Sequence, residues 1–241
     1  FSHEQKIIKS CQPYRHNLRK IHLESGDLTY SLSITIDRTQ MITKRVAMQQ
    51  LEGIEYRQFA QSELHYIQVS NAFCEAKIAL QGGQILEFYS KMQQRHLLWL
   101  SELNQYVVAK AIRGGIPLCF PWFGAHETEQ DFPAHGFARI VEWNLVNHTE
   151  TKEGVTLVFE LCDSPQTRTL WPYAFLVRLE MHLGRDVTLS LHVDAKSEST
   201  AALHTYFACQ NSEEVVIFGL GNNYKDTLNN GISCESQSEI L

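Results

Sequence analysis

Arg113-Gly-Gly-Ile-Pro-Leu-Cys-Phe-Pro-Trp-Phe-Gly124 and, after a polar interval, Pro133-Ala-His-Gly-Phe-Ala-Arg139 form the stretch around which the chain is organised. Three of the six prolines fall here together with four glycines, so the stretch is not a regular element. Proline cannot donate to a ladder, and glycine gives up packing and backbone entropy. Crowded around Phe120, Trp122, Phe123 and Phe137, these residues predict an apolar loop folded tightly against a sheet. Arg113, His135 and Arg139 stand at its ends, and loops held on a rigid scaffold are where function tends to sit.

Outward from the loop, the chain reads as strands. Leu64–Val69, Ala76–Leu80 and Ile85–Tyr89 alternate before it, with Asn71-Ala72 as a turn. Gly82-Gly83 interrupts that pattern and predicts a bulge or a close backbone approach. After the loop, Val141–Val146, Val155–Leu161, Phe175–Leu183 and Val187–Val193 alternate, the last two flanking a hairpin turn at Gly184-Arg185-Asp186. Ala202–Cys209 and Val215–Phe218 follow. No internal repeat, low-complexity linker or long amphipathic helix is visible. Short strands at this spacing favour an all-β antiparallel sandwich.

Composition sets the outer limits. Across 241 residues, 44% are hydrophobic and 20% charged, the balance of a globular chain able to bury a core. A net charge of −6 gives no basic footprint, so nucleic acid is not an expected partner. A local pair of arginines can still hold a phosphate on an acidic protein. The six cysteines are scattered without a C-x-x-C pair, which predicts reduced thiols rather than a disulfide framework. No long apolar run suggests a membrane span, and residues 1–20 lack the apolar core of a signal peptide, so the expected compartment is the cytoplasm.

Arg113-Gly-Gly-Ile-Pro117, Phe120-Pro-Trp-Phe-Gly124 and His135-Gly-Phe-Ala-Arg139 resemble the signature of the glucose-6-phosphate 1-epimerases, or D-hexose-6-phosphate mutarotases, within the aldose-1-epimerase-like superfamily. Leu98-Trp-Leu-Ser101, Leu170-Trp-Pro172 and Leu203-His-Thr-Tyr-Phe207 match in the same order, and the resemblance covers Glu63 to Gly231. It implies a large antiparallel β-sandwich of the galactose-mutarotase-like type, here expected over residues 41–241. Residues 1–40 resemble nothing in the family. They read either as an appended leader or as an interaction arm with a strand at Leu28–Ile36.

The implied activity is interconversion of the α and β anomers of a hexose 6-phosphate, with no cofactor and no metal. The partner expected is a small sugar phosphate; the oligomeric state is not legible. His204 matches the family's general acid, which protonates the ring oxygen, and an imidazole with an ordinary pKa near 6.5 suits that task. Period-2 alternation puts His204 and Tyr206 on one face. His135 matches a second site histidine that contacts the sugar, with loop bracing as the other reading. Arg113 and Arg139 match the arginines that hold the phosphate; bracing the loop is again the alternative. Where relatives often carry Gln before His-Gly, this chain has Ala134.

Other candidates weigh less. Trp122, Phe123 and Tyr206 could line a sugar pocket or simply belong to the core. Cys119 and Cys209 read as structural thiols, and His126, Glu127 and Glu129 as a solvated loop rather than a metal set. The family's base is a glutamate beyond a later motif that this sequence, ending at Leu241, does not reach; Glu235 and Glu239 do not match it. The sequence is therefore expected to be an incomplete record of a longer protein. A non-catalytic sugar-phosphate binder is the alternative reading.

Overall fold

A computed structural model of the chain describes residues 53–215, 223–226 and 232–235. The leader 1–40 and the expected strand at Leu28–Ile36 lie outside them.

The first sheet grows from short runs with apolar side chains at every second position. β1 (Ile54–Gln58), β2 (His65–Ser70), β3 (Cys74–Ala79), β4 (Gln84–Ser90) and β5 (Arg95–His96) pair antiparallel in chain order. Opposite positions Ile67↔Ile78 and Val69↔Ala76 share the buried face. β4 carries a bulge: Lys77 pairs with Glu87 while Ile78 pairs with Ile85, leaving Leu86 as the extra residue. Alternation is thereby reset. Ile85 and Phe88 both enter the main core, whereas Leu86 turns to the other face and packs with Phe59, Leu64, Ala79 and Ile112.

The second sheet has the order β10-β9-β8-β7, with β7 at Asn144–Thr151, β8 at Gly154–Cys162, β9 at Phe175–Leu183 and β10 at Val187–Ala195. Its central register, Val155↔Leu183, Leu157↔Met181, Phe159↔Leu179 and Leu161↔Val177, stacks one apolar row over the next. These side chains join Ile67, Ile78 and Phe88 in one core, so the two sheets form a sandwich. Each fully buried aliphatic or aromatic side chain contributes about 1.5–3 kcal/mol. Trp143, the largest fully buried side chain among the described residues, donates its Nε1–H to Ala138 O at 2.8 Å, which satisfies an indole that burial would otherwise penalise.

Three expectations change. The strand expected from Val141 begins only at Asn144, because the backbone before it bonds to the first sheet: Trp143 N–H to Leu80 O, and Gly82 N–H to Val141 O. That second contact is the close approach predicted at Gly82-Gly83. A short helix, α1 (Pro165–Leu170), fills the β8–β9 connection. Ser164 caps it through the Thr167 N–H, Thr167 returns the favour to Ser164 N–H, and Pro165 occupies the first turn. Cys162 is disulfide-bonded, contrary to the expectation of six reduced thiols, while Cys74, Cys119 and Cys209 are free.

The chain divides into two compact units, through Tyr206 and from Phe207 onward. In the second, β12 (Asn223–Asp226) and β13 (Ile232–Glu235) pair antiparallel. Most of the expected strand at Val215–Phe218 lies outside the described residues. No helix among the described residues is long and apolar enough to cross a membrane.

Candidate active site

The Pro- and Gly-rich stretch is a framed loop. β6 (Leu118–Cys119) pairs with β11 (Ala202–Leu203), and the ladder continues beyond both strands. His204 N–H bonds Pro117 O at 2.9 Å, and Tyr206 N–H bonds Gly115 O at 2.9 Å. Trp99 then inserts on the far side, giving its N–H to Tyr206 O and accepting from Gly115 N–H. Only Ala202–Leu203 of the expected Ala202–Cys209 strand is regular, because a proline partner accepts but cannot donate. Alternation is nevertheless respected: the rings of His204 and Tyr206 lie 4.9 Å apart.

His135 is fixed by other means. Its N–H bonds Gly124 O at 2.6 Å, and its Nδ1 accepts the Gly124 N–H at 3.1 Å. A ring nitrogen that accepts carries no proton, so the neutral imidazole bears its hydrogen on Nε2. The backbone at His135 is left-handed, with φ of 66°. Gly136 follows with φ of 70°, where a Cβ would stand 2.0 Å from Phe120 O. That carbonyl already accepts from the N–H groups of Phe137 and Ala138, so the two ends of the loop are tied there.

The two histidine rings converge, with centroids 6.1 Å apart and planes inclined at 67°. Phe123, 51% exposed, meets His135 edge-on at 4.8 Å and lies nearly parallel to His204 at 6.3 Å. Its N–H is held by Thr200 Oγ1, and Thr200 N–H returns to Pro121 O. His204 Nδ1 is buried without a hydrogen bond among the described residues. Desolvation holds the His135 pKa below its ordinary value, and the positive charges of Arg139 and His204 push the same way.

The arginines occupy different settings. Arg139 donates from Nη2 to Ala134 O at 2.8 Å, bracing the His135 loop, and its Nε is buried without a partner among the described residues. Its charge also opposes the upward push that burial gives the Cys119 thiol. Arg113 is exposed and borders a separate cavity lined in part by Ser101, Asn104, Tyr106 and Lys110. Its backbone, not its side chain, is tied down: Asn104 Oδ1 accepts the Arg113 N–H, and Asn104 Nδ2 donates to Arg113 O.

Of the aromatic candidates, Phe123 and Tyr206 lie beside the histidines. Trp122 instead packs on the core and on Phe132, with its Nε1–H bonded to Pro133 O. His126 stacks edge-on against Trp122 and accepts backbone N–H groups of its own loop through Nδ1. Trp99, 44% exposed and 5.8 Å from the Tyr206 ring, is a neighbour that its motif alone did not single out as part of the site.

The chain and its antiparallel sandwich are matched by known proteins. The model of the family described as aldose 1-epimerase matches residues 65–238, and the chain belongs to that family. A protein of Escherichia coli K12 named "Putative glucose-6-phosphate 1-epimerase" is 38% identical over 167 residues, covering 69% of this chain and 56% of that protein. A Salmonella typhimurium protein of the same name is 36% identical over an equal span. The chain thus spans a little over half the length of these curated relatives. The crystal structure of a "putative mutarotase" from Salmonella typhimurium matches with a TM-score of 0.75 at 33% identity, over 83% of this chain and 68% of that one.

Proposed function

We propose that the protein interconverts the α and β anomers of a hexose 6-phosphate, glucose 6-phosphate being the first to test. The observation that carries this reading is the approach of His135 and His204 to 6.1 Å beside an exposed Phe123. The names of the relatives support the substrate class.

In this reading His204 gives a proton from Nε2 to the ring oxygen as the C1–O5 bond breaks. A base takes the anomeric hydroxyl proton, and the C1–O1 bond becomes a carbonyl. Rotation about C1–C2 presents the other face, and closure returns both protons, so the reaction balances without redox chemistry. We assign the base to no described residue. His135, neutral and protonated on Nε2, donates a hydrogen bond to a sugar oxygen. It does not compete with His204 as the acid, because its pKa is held down. Phe123 offers an apolar surface to the sugar ring. Arg113 and Arg139 supply the cationic surroundings for the phosphate, each able to present paired N–H donors.

The test is magnetisation transfer between the anomeric proton signals of glucose 6-phosphate. Wild type is expected to accelerate exchange in proportion to enzyme concentration. Tight binding without any exchange would replace the enzyme with a sugar-phosphate binder.

A further inference from the structure

The ladder that carries His204 extends past β6 and β11 at both ends. Tyr206 N–H meets Gly115 O and His204 N–H meets Pro117 O; Leu203 and Ala202 then pair with Leu118 and Cys119. The last rung is Thr200 N–H on Pro121 O, at 2.9 Å. Each step on one segment is answered by one step on the other, so a single antiparallel register runs from Gly115 and Tyr206 to Pro121 and Thr200. Pro121 has no N–H to return, and that rung is single. The side chain supplies the next tie: Thr200 Oγ1 accepts the Phe123 N–H at 3.0 Å. Thr200 thus holds the chain on both sides of Trp122, once through its N–H and once through its hydroxyl.

Phe123 is the residue that gains from this clasp. Its ring is half exposed, meeting His135 at 4.8 Å and His204 at 6.3 Å, so packing restrains it less than it restrains the buried rings of Phe120 and Phe137. The two bonds between Gly124 and His135 fix the histidine to the loop, but they do not tie the loop to the segment that bears His204. Thr200 makes that tie. It lies two residues before β11 and four before His204, and its hydroxyl reaches the backbone of the residue whose ring stands beside both imidazoles. A platform held in place before the ligand arrives loses less entropy on binding.

We infer that Thr200 is a positioning residue for the proposed reaction, holding the Phe123 ring beside His135 and His204 so that the sugar meets it in one orientation. The inference rests on the proposed reading of the protein as acting on a hexose 6-phosphate. Thr200 touches no reacting atom in this assignment and acts through Phe123. An apolar surface contacts the sugar alike in the ground state and in the transition state. Its misplacement therefore weakens binding and spares the rate at saturation.

The dependence of anomer exchange on glucose 6-phosphate concentration is measured for wild type, Thr200→Val, Thr200→Ala and Thr200→Ser. Thr149→Val, at an exposed position of β7, serves as an equal change elsewhere. Valine keeps the shape of threonine and removes the acceptor. Thr200→Val and Thr200→Ala are expected to raise KM by about 2- to 10-fold, the scale of one neutral hydrogen bond, with kcat unchanged. Thr200→Ser should restore KM, and Thr149→Val should move neither constant. A loss of kcat at unchanged KM would show a merely structural role and overturn the inference, as would a KM equal to that of Thr149→Val. In a second experiment Thr200→Val is added to Phe123→Ala, where no further rise in KM is expected. A rise there would mean that Thr200 does not act through Phe123. These failures leave the proposed function standing, whereas no exchange in wild type would overturn both.

Discussion

His135 and Gly124 hold each other twice, the His135 N–H on Gly124 O and the Gly124 N–H on Nδ1 of the same histidine. Protonating Nδ1 would break the second bond and place a cation beside Arg139. The neutral ring is therefore the folded-state form, in agreement with the lowered pKa.

A pH dependence of stability follows. Unfolded, His135 titrates near its ordinary 6.5; folded, it binds its proton only at lower pH. Between those two values the unfolded chain holds more protons, so stability rises with pH through that window. Its contribution is present above about pH 6.5 and is lost as pH falls through the folded value. Thermal unfolding of His135→Asn, a residue that tolerates the left-handed backbone, should lose less stability than wild type between pH 7 and 5. Parallel curves for the two proteins would contradict this.

His204→Asn keeps the ladder bond to Pro117, which is a backbone contact, but removes the proton donor. Anomer exchange should fall by about 10²–10⁴-fold, with glucose 6-phosphate still bound. An exchange rate within a few-fold of wild type would remove His204 from the acid role.

Gly136→Ala and Gly124→Ala separate steric clash from backbone strain. Both glycines have positive φ, yet a Cβ at Gly124 meets nothing within 4 Å, while one at Gly136 would stand 2.0 Å from Phe120 O. Gly124→Ala should cost about 1–2 kcal/mol, and Gly136→Ala about 3 kcal/mol or more, read as shifts of urea midpoint. Equal costs would mean that Phe120 yields freely.

Ser164→Ala removes the side-chain acceptor that opens α1. A loss of about 1 kcal/mol is expected by chemical denaturation, with exchange activity intact. Helix α1 leads into Trp171, which packs edge-on against Phe120 of the central loop. A loss of activity without a loss of stability would show that the cap matters for the site and not for the fold.

Much of this was legible in the sequence. Strict alternation disclosed β8 and β9 at almost their observed bounds, since one face of each is wholly buried. The pairing of His204 with Tyr206 on one side likewise follows from a period of two. Helix α1 escaped because six residues are too few to show a helical period, although Ser164-Pro165 is an N-cap followed by proline at the first position. The β7 boundary escaped because Val141–Trp143 look like strand but spend their backbone bonds on the first sheet. Gln81, Gln84 and Asn104 escaped for a deeper reason. An amide in a sequence carries no mark of which backbone groups it will satisfy, whether nine residues away as for Asn104 or close to thirty as for Gln81 and Gln84.

The bulge in β4 acquires a further meaning from those amides. Gln84 holds the carbonyls of Ile112 and Gly114 with its side chain, and the next residue, Ile85, accepts the Ile116 N–H on its carbonyl. Two adjacent residues thus serve as the common datum for the cation-bearing segment and for the start of the histidine-framing ladder. Because Leu86 directly follows and points into a different apolar layer, that datum is anchored on both faces of the sheet. A one-residue deletion there would restore simple alternation and carry both segments out of register with the opposite sheet together, leaving their spacing to each other unchanged.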